Sequence, residues 1–76
     1  MPLPNQKDER RRLIAERKRL VRVRENLVVE RSLLTGATAV ARQVHAERVQ
    51  RHREDVASYR REVAAYETRY GPLDPP

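Results

Sequence analysis

The chain predicts an all-α protein: two long helices folded into an antiparallel, coiled-coil-like hairpin. Three observations carry this. Leu13, Leu20, Leu27 and Leu34 recur every seven residues, and Ile14, Val21 and Val28 repeat one position later. Val49, His52, Val56, Tyr59, Val63, Tyr66 and Tyr70 step alternately by three and four, the spacing of a and d positions in a heptad. Between the two periodic stretches lies TGAT, residues 35–38, holding the only glycine before position 71. The β-branched residues fall at helical spacing and nowhere alternate, so no strand pattern competes.

Taken in order, residues 1–5 form a short arm that Pro2 and Pro4 keep irregular. Asn5 suits an N-cap, and Asp8 and Glu9 in the next turn complement the helix dipole. From about 6 to 34 nothing breaks a helix, and Glu16 sits three before Arg19, a spacing that supports one. Gly36 suits a C-terminal cap. Thr35 or Thr38 can cap a second helix, expected over about 38–70. Gly71 followed by Pro72 stops it and closes the helical unit at 71. The Pro-rich tail at 72–76 is expected to fray.

Antiparallel packing places a positions opposite d positions. Pairing Ile14 with Tyr59, Val21 with His52 and Val28 with His45 keeps a constant register and centres the turn between Gly36 and Ala37. Arg10, Arg17 and Arg24 then face Val63, Val56 and Val49. An unpaired buried guanidinium is costly, so these heads are expected to reach an edge, Asp55 or Glu62, or a tyrosine face. The expected interaction seam is Ile14, Val21, Val28, Val49, His52, Val56, Tyr59, Val63 and Tyr66. In that register the row Leu13, Leu20, Leu27 and Leu34 meets Arg48, Asp55 and Glu62 and stays poorly covered. It is therefore expected to serve as a partner or dimer face, joining two hairpins into a four-helix arrangement. The alternative is one continuous helix through Gly36 in a coiled coil, at a glycine cost of about 1 kcal/mol. It would stack like-charged arginines at consecutive d positions of a parallel dimer.

Composition narrows the function. Seventy-six residues make one domain at most, and a chain this short usually needs a partner or a staple. With no cysteine there is no disulfide framework and no Cys-based zinc site. Charged residues are 37% of the chain, and no apolar run approaches the ~18 residues of a membrane span. MPLPNQKDE lacks the apolar stretch of a signal peptide, so a cytoplasmic setting, or a particle assembled there, is expected. Ser32 and Ser58 lie in helical patterns without a nucleophile elbow, and no phosphate-binding glycine loop exists. His45 and His52, seven apart, lie ~10 Å from each other on a helix, too far to ligate one ion. No catalytic residue, metal site, cofactor or small-molecule substrate is expected.

The cations are 15 arginines and two lysines, a bias that GC-rich coding also produces. Residues 7–24 hold nine of them against three acids, and so carry the whole net charge of +6. Arg11, Arg12, Lys18, Arg19 and Arg22 fall largely outside the apolar rows and could meet phosphate or an acidic partner. Two functions emerge as expectations. The first is a non-enzymatic interaction or assembly protein that self-associates, or docks on a larger protein assembly, through its Leu/Val rows. The second is a basic protein binding DNA or RNA phosphates through residues 7–24.

Overall fold

A computed structural model describes residues 6–74. The proposed arm and its Asn5 cap lie outside them. The described residues form two helices and no strand: α1, Gln6–Ser32, and α2, Ala39–Tyr70. They pack along each other in a molecule 54 × 23 × 19 Å. Its radius of gyration is 16.6 Å, against about 11 Å for a compact domain of this length. Arg69 bonds Glu9 at one end and Arg48 bonds Glu30 near the turn, so α1 and α2 run in opposite directions.

The turn arises from local chemistry. At the end of α1, Leu33 N–H donates to both Val29 and Glu30 carbonyls, and Leu34 N–H donates to Arg31, a tightening typical of helix ends. Ala37 N–H then closes a four-residue turn on Leu34 O at 2.9 Å. Gly36, third in that turn, has φ +77°, a conformation side-chain-bearing residues avoid. The Arg42 guanidinium bonds Ala37 O at 2.9 Å and braces the loop. Thr38 caps α2: its Oγ1 accepts from Ala41 N–H at 3.2 Å. The chain reverses at Gly36, so the alternative of a single continuous helix does not hold.

The helices meet on an unexpected face of α1. Leu13 and Leu20 are 1% and 5% exposed, with Leu27 and Leu34 half-buried behind them. Val21 and Val28 are 49% and 62% exposed, and Ile14 is half-buried. The expected seam is thus corrected at Val21 and Val28, while Ile14 lies at its edge. Also corrected is the expected exposed face of Leu13, Leu20, Leu27 and Leu34, which packs on α2 instead. Relative to the expectation α1 is turned by one residue, about 100°. Electrostatics explains the turn. Seating the valine row at the centre would draw Arg10, Arg17 and Arg24 inward with it. Seating leucines buries larger apolar side chains, each worth about 1.5–3 kcal/mol when fully covered, and leaves the guanidiniums on a rim.

The tail brings a second correction. Gly71 (φ 97°, ψ −171°) occupies backbone space open essentially to glycine alone, and the chain doubles back after it. Leu73 packs into a cluster with Leu13 and Tyr66, against which Tyr59, Val63 and Tyr70 lie. Its N–H donates to Glu67 Oε2 at 3.0 Å, and its carbonyl accepts from Arg10 Nε at 3.2 Å. The tail is therefore docked, not frayed, as far as Asp74. The tightest part of the core lies at the end away from the turn. Around the turn, Val29, Leu33, Val40 and Val44 are exposed.

Candidate interaction surface

Two flanks run along the groove between α1 and α2, and they differ in kind. One is ionic. Arg69 pairs with Glu9 at 3.1 Å, Arg12 with Glu62 at 3.1 Å, and Arg48 with Glu30 at 2.6 Å. Arg19 bonds Glu16 at 2.6 Å on its own helix and approaches Asp55 at 3.9 Å. The Arg19 guanidinium holds the Glu16 carboxyl below the usual carboxylate range. The His45 imidazole, 3.0 Å away, and then Arg48 do the same for Glu30. Exposed pairs of this kind contribute little individually, roughly 0–1 kcal/mol, but together they neutralise this side.

The opposite flank is apolar and cationic. Arg10, Arg17 and Arg24 project on this side, where Val21, Val56, Tyr59, Arg60 and Val63 line two shallow grooves. One groove, about 280 Å³, is bounded by Arg17, Tyr59, Val63, Leu73 and Asp74. The second, about 240 Å³, lies nearer the turn between Leu20, Val21, Arg24, Val56 and Arg60. Asp74 Oδ2 accepts from Arg17 Nη1 at 2.7 Å, which holds the Asp74 carboxyl down and pushes Arg17 up. The tail, not Asp55 or Glu62, is thus what meets Arg10 and Arg17. Burial pushes the Tyr59 phenol up.

The remaining expected site residues divide between core and surface. Val49, His52, Val56, Tyr59 and Val63 are half-buried and Tyr66 is buried. His52 Nε2 donates to Leu20 O at 3.0 Å, a direction required because a carbonyl can only accept. Tyr66 and Tyr70 rings tilt against each other at 5.0 Å, and the Arg69 guanidinium lies 5.7 Å from the Tyr70 centroid. Of the five proposed phosphate contacts, Arg12 and Arg19 are tied into the ionic flank. Arg11, Lys18 and Arg22 are exposed along the back of α1 and make no ion pair with the described residues. Sequence reasoning missed Leu73 and Asp74. The available signal was a leucine placed just beyond a helix-ending glycine, where an apolar residue commonly folds back on the helix.

No helix of the described residues is long and apolar enough to cross a membrane. No three His, Asp or Glu side chains among them gather as a metal site would require. No protein-family model matches the chain, and neither a curated protein nor a solved structure matches it.

Proposed function

We propose that this chain is a non-enzymatic helical interaction module whose valine–arginine flank docks on another protein. The observation that carries the reading is the exposed pair Val21 and Val28 on α1, with Val21 sharing a groove with the half-covered Val56 of α2. One hairpin offers nothing to cover this row, and repeated exposed apolar residues on a small chain mark contact surfaces. Leu13 and Leu20 are buried within the chain, which favours the valine row over the leucine row as the partner face. The valine row takes over the partner role.

The test compares the full chain with a Val21→Asp/Val28→Asp variant as bait in extract of the source cell. Both positions are at the surface, so the variant should keep its helicity. One protein recovered in stoichiometric amount by the parent, and absent from the variant, is the expected result. Equal recovery by both baits overturns the reading.

A second reading rests on Arg11, Lys18 and Arg22, three cations along the back of α1 with no ion pair among the described residues. They could engage DNA or RNA phosphates with strong salt dependence. Light scattering behind size exclusion, with a mixed-sequence oligonucleotide at about 50 mM and about 500 mM salt, separates the two. Co-elution at low salt, lost on charge reversal at these three positions, would put the nucleic-acid reading first.

A further inference from the structure

The tail at Leu73–Asp74 shows what the valine–arginine flank accepts. An apolar side chain sits against Tyr59 and Val63, the next residue's carboxylate bonds Arg17, and Arg10 takes the intervening carbonyl. A seven-residue shift toward the turn repeats this chemistry. Arg10 and Arg17 become Arg17 and Arg24, Leu13 becomes Leu20, and Val63 becomes Val56, while Tyr59 is replaced by His52, whose Nε2 is bonded to Leu20 O. The structure has a groove of about 240 Å³ at that place, with Val21 as its outer wall. There is one change of sign: Glu67, which bonds Leu73 N–H in the occupied site, is replaced by Arg60 in the open one. Arg24 and Arg60 make no ion pair or hydrogen bond with the described residues.

From this repeated geometry we propose that the open groove binds an acidic amphipathic segment of a partner protein, apolar side chains seated on Val21 and Val56 and carboxylates on Arg24 and Arg60. This rests on the docking function proposed above and gives the partner its chemistry. A second copy fits less well. Two such flanks face to face would bring the cations Arg24 and Arg60 of one copy near those of the other, and like charges at a contact disfavour it. The tail itself marks the preferred ligand, since an apolar residue next to a carboxylate fills the adjoining site.

The experiment uses the full chain and three fluorescein-labelled peptides of about 14 residues, about four helical turns. The first is an amphipathic helix of Leu and Glu, the second keeps its leucines with Gln for Glu, and the third scrambles the first. Fluorescence anisotropy is expected to show the first binding about tenfold more tightly than either other. Arg24→Glu/Arg60→Glu should lose about tenfold, while Arg51→Glu/Arg61→Glu, with the same net charge but facing elsewhere, should not. Circular dichroism of each variant confirms that the helices persist, and the milder Arg24→Gln/Arg60→Gln serves if the reversal unfolds the chain. Equal binding of the Gln peptide, abolished by Val21→Asp, overturns the acidic preference and leaves the docking function standing. So does a dimer in sedimentation that Val21→Asp dissolves while no peptide binds. Equal binding of the scrambled peptide reduces the flank to a charge surface and overturns the proposal. A duplex oligonucleotide that binds where peptides do not, and is lost in Arg24→Glu/Arg60→Glu, overturns both. No binding by a strict monomer overturns the proposal.

Discussion

Two apolar rows that look equivalent in composition have opposite energetic roles at the level of single residues. Leu13 is fully enclosed by Tyr66, Leu73 and their neighbours. Leu13→Ala should cost about 2–5 kcal/mol in urea denaturation, from lost transfer energy plus the cavity left behind. Val28→Ala, at a largely solvated position, should change stability by about 0.5 kcal/mol or less. A larger cost at Val28 than at Leu13 would place the seam on the valine row after all. Charge has its own signature. Asp74, Glu30 and Glu16 carry carboxyl pKa values held below the ordinary range, chiefly by hydrogen bonds from Arg17, His45 and Arg19 respectively. Their unfolded forms bind protons more readily, so the stability they add is present above the unfolded carboxylate pKa, about 4. It is lost as pH falls through the lower folded values. Thermal melts should therefore show a decline on acidification below about pH 4, smaller in Asp74→Asn. A melt that rises on acidification would contradict these assignments.

The two glycines do different work as elements join. Gly36 has φ +77° with open space where a Cβ would lie, so Gly36→Ala should cost about 1 kcal/mol through backbone strain alone. Gly71, at φ 97° and also unobstructed, decides whether residues 72–74 can fold back. Gly71→Ala should release Leu73 from Leu13 and Tyr66, seen as loss of the Leu73 methyl contacts to the tyrosine rings by NMR. An unchanged contact pattern would mean that the cluster alone holds the tail. The legibility of these elements was uneven. The heptads and the TGAT break announced two helices and a turn, because periodicity and punctuation are local signals. The docking of Leu73 was not legible, since its partners Leu13 and Arg10 are about sixty positions away in the chain.

Stability across the whole molecule should be graded. The buried cluster of Leu13, Tyr66 and Leu73 lies at the end away from the turn, whereas Val28, Leu33 and Val40 near the turn are exposed. Amide hydrogen exchange is therefore expected to be faster in 26–44 than in 10–20 and 55–68, because opening requires less apolar surface to be uncovered there. Uniform protection along both helices would mean that the turn end is covered, as an assembled partner or second copy would cover it. The two flanks also give the molecule a side: paired charge on one, valines and open arginines on the other. That asymmetry is a property of the helix pair and belongs to neither helix alone.

The helices, the break at Gly36, the stop at Gly71 and the concentration of charge in residues 7–24 follow from neighbours a few positions apart. Which row of α1 faces α2, where the arginines point and what the tail covers depend on long-range packing. Leucine and valine rows one residue apart offer two nearly equivalent faces to a partner helix. The choice between them turns on burying the larger side chains while keeping Arg10, Arg17 and Arg24 in reach of water, a backbone carbonyl and Asp74, a balance set by groups distant in the chain.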